Sequence, residues 1–262
     1  MSDDDGFVSV DADIERDGWG RPKILNPSTG KVQAYTRIST FASTLDDGGG
    51  LATWKSKHVA LGLAARRELC DLIVGMEYAD PGLNEVVERA ADAALLNIKA
   101  DYGTAIHRFT EPGKDHLTPE HMRDDVDSYH RAIQDAGLVV SATEQFVVNH
   151  ELGVAGTLDH LYIDGQGRQL VGDKKTGTLR PLSTAIQLAC YAGAEIYDIK
   201  TGETSPLGAD LSTAILIHIP RGEGSTKVYE VNIAAAGLLC ELAREVRAAR
   251  SGSRSLVKEW GA

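Results

Sequence analysis

The sequence predicts an α+β (mixed α/β) fold with a helical N-terminal portion and a strand-rich core. Three observations predict it. Apolar stripes at helical spacing run through residues 51–137, and β-branched, alternating runs take over at 138. From there the order is three strands, a helix, two strands and a last helix. The composition can fill such a core, since 42% of the 262 residues are apolar and 25% charged. At ~150 residues per domain the length fits one large domain or two small ones. A single domain over 34–262 is expected, with a helical part at 51–137 and a core at 138–250.

Residues 1–33 are polar, carry glycines and prolines without period, and are expected to form a flexible acidic arm. Residues 1–20 hold seven acids against Arg16 alone, so these twenty carry −6 of the formal −11 and the other 242 residues carry −5. That balance argues against a protein that coats nucleic acid non-specifically, but it leaves room for a local basic groove. The longest uninterrupted apolar stretch, Ile233–Cys240, spans 8 residues. A membrane helix needs ~20. The N-terminus lacks the basic and apolar regions of a secretory signal, so a cytoplasmic protein with no membrane partner is expected.

The segment YTRISTFASTL (35–45) mixes aromatic and β-branched residues and ends at the breaker Asp46-Asp47-Gly48-Gly49-Gly50. Leu51, Trp54, His58, Leu61, Ala65, Leu69, Leu72 and Met76 then form a stripe that predicts one helix. After Pro81-Gly82 a second long helix is expected over about 83–111, stopped by Pro112-Gly113, and a third over 118–136. Strands are expected at 138–150, 153–164 and 168–176, followed by a helix at 181–198. Further strands near 212–219 and 226–233 precede a final helix at 234–250. Cys70, Cys190 and Cys240 form no CxxC pair, and each falls in an apolar helical pattern, which predicts buried free thiols.

The hairpin 153–176 carries the most chemical information. A turn centred on Gln166 pairs Asp164 with Arg168, Leu161 with Val171 and Asp159 with Asp173. Opposed residues have Cβ atoms ~5 Å apart. Alternation puts Lys175 on the face of Asp173, together with Leu161, Ile163 and Val171, and a helix layer should cover that face. Two carboxylates so close repel each other unless a divalent cation lies between them, and oxygen donors suit Mg²⁺ or Mn²⁺. The same residues also fit an edge hairpin with a solvated Asp–Lys ion pair.

On the second helix, Ala100, Gly103, Thr104, His107 and Glu111 share a face, which makes His107 a metal-ligand candidate or simply a surface or core histidine. Gln187 and Tyr191 lie one turn apart on the helix after Lys175. Arg37, with Ser39 and Thr40, has the chemistry to hold a terminal phosphate, or is an exposed arginine on an irregular strand. Lys55, Lys57, His58, Arg66 and Arg67 fit a solvated helix face slightly better than a DNA path.

Taken in order, GTAIHRFTE, GTLDHLY, LVGDKKTG and QLACYA resemble the RecB-like branch of the PD-(D/E)xK nucleases, over about residues 103–191. The resemblance implies a restriction-endonuclease-like core, a central mixed sheet flanked by helices. It implies a Mg²⁺- or Mn²⁺-dependent deoxyribonuclease, most similar to phage recombination exonucleases that act on linear DNA or free ends in recombination and repair. It assigns His107, Asp159, Asp173 and the backbone carbonyl of Lys174 to the metal, and it makes Asp159, Asp173 and Lys175 catalytic. Gln187 and Tyr191 would shape the site and contact DNA, Glu144 would be an accessory acid on the preceding strand, and Arg37 and Ser39 would hold a 5′-phosphate. CRISPR-adaptation relatives use four cysteines for an iron–sulfur cluster, and three scattered cysteines imply none here. A single-strand annealing protein is an expected partner, and ring-forming relatives suggest a homo-oligomer. A structure-specific endonuclease, or a non-catalytic module binding DNA ends, would use the same fold.

Overall fold

In the computed structural model, residues 14–94 and 98–257 are described. They are mixed α and β, with a central mixed sheet flanked by helices. The chain divides into two compact units, one of Met1–Asp46 with Thr118–Ala262 and one of Asp47–Leu117. The division leaves α6 (Glu120–Asp135), expected within the helical part, in the unit of the sheet.

The first unit opens with a hairpin, β1 (Lys23–Asn26) and β2 (Lys31–Ala34), where a flexible arm was expected. Local turn chemistry explains part of the correction: the Asn26 carboxamide accepts from the amides of Ser28 at 2.9 Å and Thr29 at 3.2 Å. Burial explains the rest. Ile14, Ile24 and Tyr35 pack with Phe146, Val148, Ala155 and Tyr197 of the sheet unit, so a segment with little apolar content of its own is held by distant partners. Asp3, Asp4, Asp5, Asp11 and Asp13 of the expected arm lie outside the described residues. A two-residue strand, β3 (Thr36–Arg37), then runs parallel to the start of β5 and leads into α1 (Ile38–Ala42) and a 3-10 turn at Ser43–Leu45.

The sheet follows α6: β4 (Val139–Asn149), β5 (Val154–Ile163) and β6 (Gln169–Lys175). Then come α7 (Pro181–Ala192), β7 (Glu195–Tyr197), β8 (Thr204–Pro206), β9 (Thr213–His218), β10 (Lys227–Asn232) and α8 (Ile233–Gly252). The strand order is β10-β9-β6-β5-β4-β7-β8, antiparallel except for β6–β9 and for β3 against β5. The β5–β6 hairpin is therefore interior, which removes the edge-hairpin alternative. Its register has Leu161 opposite Val171 and His160 opposite Gly172, as expected. The turn explains that register, because the Asp164 carboxylate accepts from the amides of Gln166 and Arg168, both at 2.9 Å, and Gly167 takes a φ of 79°. The expected helix at 181–198 ends at Ala192. Gly193 follows, and β7 then adds to the edge of β4. A hydrogen bond from the Asn149 side chain to the Gly193 carbonyl, at 3.0 Å, secures that exit.

One face of the sheet carries Leu158, Leu161 and Val171 into a core with Ile186, Leu188 and Tyr191 of α7 and Cys240 and Ala243 of α8. Pro181 at the first turn of α7, and the Asn232 side chain accepting the Ala235 amide at 2.9 Å, set the starts of these helices. The sulfurs of Cys190 and Cys240 lie 3.9 Å apart as free thiols. The hydrogen bond with Cys240, and then burial, raise the Cys190 thiol far above its usual range, which keeps it unreactive. On the opposite face Tyr162, stacked on His160, shares a hydroxyl hydrogen bond of 3.0 Å with Tyr129 of α6.

The second unit holds α2 (Gly49–Ala65), α3 (Glu68–Ile73), α4 (Pro81–Ala93) and α5 (Ile98–Phe109). Both long helices expected here are shorter. The first breaks at Arg66, with φ −125° and ψ 72°. In an unbroken helix Val59, Leu63 and Cys70 would share a face and Leu69 would point elsewhere. The break rotates Leu69 into the cluster with Val86 and Ala90 and leaves Cys70 exposed, which corrects the expectation of a buried thiol there. Leu61, assigned to the buried stripe, is 63% exposed. The contact face of α2 is instead centred on Gly62, where a Cβ would lie 1.7 Å from the Ala90 carbonyl oxygen. Apolar periodicity cannot register a contact made by a missing side chain. The second long helix ends as α4 at the Ala94 cap, and residues 95–97, over which it was expected to continue, lie outside the described residues. Lys55, Lys57, Arg66 and Arg67 are exposed, as a solvated face requires.

Among the described residues no helix is long and apolar enough to cross a membrane.

Candidate active site

The hairpin β5–β6 and helix α7 build the site. Asp173 sits near the end of β6, 2% exposed, with Lys175 two residues on and therefore on the same face. The Lys175 ammonium lies 2.8 Å from one Asp173 carboxylate oxygen and donates to the other at 3.0 Å. The Gln187 amide of α7 donates to Asp173 at 3.0 Å, and its oxygen faces the Lys175 ammonium at 3.4 Å. One turn further, Tyr191 Oη donates to the Thr157 carbonyl of β5 at 2.8 Å and lies 3.4 Å from the Gln187 amide nitrogen. Burial first, and then the Asp159 and Asp173 carboxylates, push the Tyr191 phenol far above its usual range, so it stays a hydrogen-bond donor.

Asp159 joins from the neighbouring strand, accepting the Lys174 amide at 3.0 Å. The Lys174 side chain is 1% exposed and points away from the site, its ammonium 5.7 Å from the centre of the Tyr129 ring. Regular alternation fails at Asp159: Leu158 and Leu161, three residues apart, enter the same core cluster. Across the ladder Glu144 lies between the pairs Thr143–His160 and Gln145–Leu158, opposite Asp159, with a left-handed φ of 51°. Left-handed backbone at a glutamate is strained by ~1–2 kcal/mol and tends to occur where the surroundings over-determine a functional position. Glu144 thus lies opposite Asp159 on β5, and Asp159 reaches β6 through the Lys174 amide, the residue after Asp173.

The sequence-assigned residues Asp159, Asp173, Lys175, Gln187 and Tyr191, with the Lys174 backbone, are thus brought together in the first unit. His107 is placed on α5, in the other unit. Arg37 and Ser39 come to the site through β3 and α1. Ser39 lines a cavity of 310 Å³ with Lys175, Gln187 and Arg180. With Arg37 it also lines one of 450 Å³ that includes Tyr191, Gly156 and Thr157. Sequence reasoning missed Arg16, which borders this second cavity, because it lay in the expected arm. It also missed Arg180, which lies 3.6 Å from Asp46. Thr157 was passed over although its place in GTLD was in view, and its buried hydroxyl has no hydrogen-bond partner among the described residues.

The donors fit a magnesium-type ion. Mg²⁺ is held by one or two carboxylates and completes its shell with water and substrate phosphate. Asp159 and Asp173 are two such carboxylates, on adjoining strands. That donor set suits an open, hydrated oxygen site and not a closed Cys/His zinc site.

Compared with known proteins, the chain matches no family model and no curated protein.

Proposed function

We propose that the protein is a Mg²⁺- or Mn²⁺-dependent deoxyribonuclease of the PD-(D/E)xK type that hydrolyses phosphodiester bonds at DNA ends. One observation carries this reading: a buried Asp173 tied to Lys175 and Gln187, with Asp159 beside it on the adjoining strand and bonded to the Lys174 amide. In this reading Asp159, Asp173 and the Lys174 carbonyl hold the ion. Such an ion, when bound, lowers the pKa of a water and offsets charge on a phosphate.

The chain's own groups do the rest. Lys175, partly exposed, presents its ammonium to the cavity it shares with Ser39, where it can hold the scissile phosphate and offset the charge that grows there. Gln187 fixes the orientation of the Asp173 carboxylate, and Tyr191 fixes α7 to β5. Arg37 and Ser39 supply the charge-assisted and hydroxyl hydrogen bonds that a terminal phosphate takes. This second anion subsite is what favours action at ends over action within a duplex.

The test compares linear and covalently closed duplex DNA with Mg²⁺ or Mn²⁺, using the wild type and Asp173→Ala. Loss of the linear form alone, abolished by the substitution and by chelator, is expected. Nicking of the closed circle would replace the exonuclease with an endonuclease. DNA binding without metal-dependent cleavage would overturn the catalytic reading and leave a binding module.

A further inference from the structure

Trp19 is 86% exposed, yet it does not stand on a loose loop. The Asp17 carboxylate accepts from the backbone amides of Trp19 at 3.0 Å and Arg21 at 2.9 Å, and it takes the Arg21 guanidinium at 2.7 Å. Gly20 closes the turn with a φ of 73°, its amide bonded to the Asp17 carbonyl at 2.9 Å and its carbonyl accepting from Arg16 at 3.0 Å. The Arg21 guanidinium beside Asp17 holds that carboxyl below its usual range, so the brace persists at neutral pH. A large indole is thus held out into water by a rigid support.

Its neighbours indicate what it meets. Trp19 lines a cavity of 490 Å³ with Arg21, Thr36, Arg37, Thr40 and Arg247. Three of the six lining residues are arginines and none is acidic, in a chain whose net charge is −11. Arg247, from α8, reaches Thr36 at 3.3 Å, which places its charge beside the indole cavity. Arginine and threonine around one aromatic face suit a phosphate backbone with a base stacked beside it.

The cavity also shares residues with those at the site already described. Arg37 lines both it and the cavity with Ser39 and Tyr191, and Ser39 in turn lines both that one and the cavity with Lys175 and Gln187. Trp19 is thus linked to Lys175 through neighbouring clefts that share Arg37 and Ser39. Inside a duplex both faces of a base are covered by its neighbours, so an internal base must be unpaired to stack on Trp19.

We propose that Trp19, framed by Arg21, Arg37 and Arg247, stacks an unpaired nucleobase of a single DNA strand that runs along Arg37 and Ser39 to the Asp173–Lys175 centre. The proposal rests on the nuclease reading and adds to it a strand-binding platform in the segment expected to be a flexible arm.

The test titrates the full chain with a 5′-phosphorylated oligothymidylate in chelator, following tryptophan fluorescence. Binding should quench the wild type, and in Trp19→Ala the quench should vanish while Kd rises about ten-fold. Trp19→Phe, which keeps a stacking face, should recover most of the affinity. Circular dichroism melting of all three proteins should coincide. If Trp19→Ala binds as tightly as the wild type while the wild type still cleaves linear DNA with Mg²⁺, the platform is wrong and the nuclease reading stands. If the wild type neither binds nor cleaves, the nuclease reading falls and the platform falls with it. A change of oligomeric state in Trp19→Ala at unchanged DNA affinity would make Trp19 a contact between copies and overturn the proposal.

Discussion

At the scale of single residues, Asp173 and Lys175 show how a site and a liability share the same atoms. Burial makes a carboxylate expensive to keep charged, and Lys175 is the cation that offsets the cost. Lys175→Met should therefore abolish cleavage and also lower stability by about 1–2 kcal/mol in urea unfolding, less than a fully buried pair because Lys175 is partly exposed. A melt unchanged by the substitution would mean that solvent already screens Asp173. The tyrosine pair across the sheet has its own signature. Burial pushes the Tyr129 phenol up to about 12, and the Tyr162 phenol also lies well above its usual value. The folded state thus retains protons that the unfolded chain releases from about pH 10. The Tyr129 contribution should be level below pH 10 and fall between pH 10 and about 12, by roughly 2–3 kcal/mol. Tyr129→Phe should give a shallower alkaline decline in Tm, and an identical decline would show that other groups cause it.

At the scale of elements, the contrast between the β5–β6 hairpin and helix α2 is instructive. The hairpin's register followed from its turn residues and its alternation, both local, so the neighbourhood of Asp159 and Asp173 was legible in the sequence. Helix α2 was placed correctly but given the wrong buried face and the wrong end, because its packing depends on Gly62 and on a break that brings in Leu69. Gly62→Ala should lower stability by about 2 kcal/mol or more, since its Cβ would collide with the α4 backbone and neither helix can yield by a rotamer change. Differential scanning calorimetry reads the loss. A neutral outcome would mean that α2 and α4 can separate without penalty. The left-handed backbone at Glu144 was not legible either, because strict alternation is the only rule a strand pattern supplies.

At the scale of the whole molecule, net charge and local charge point in opposite directions. The chain carries −11, while its indole cavity is lined by three arginines and no acid. Arg21 is paired with Asp17, so DNA affinity should fall with salt with a log–log slope of about −1.4 for a single strand touching Arg37 and Arg247. Arg247→Ala should reduce that slope by a fraction of a unit. A slope near zero in equilibrium titrations would show that the arginines do not meet phosphates.

The sequence by itself determined the elements whose causes are local: helix α7, the strands around the central hairpin, and the placing of Asp173, Lys175, Gln187 and Tyr191 one turn or one strand step apart. Tertiary structure alone decided that residues 14–40 are ordered, because Ile14, Ile24 and Tyr35 find their apolar partners on strands more than a hundred residues later. It decided likewise that Arg37 borders one cleft with Trp19 and another with Ser39, and that Ser39 borders a third with Lys175. The physical reason is the same in both cases. Hydrogen-bonded turns and periodic faces act between near neighbours in the chain, whereas burial and charge act between whatever the fold brings together.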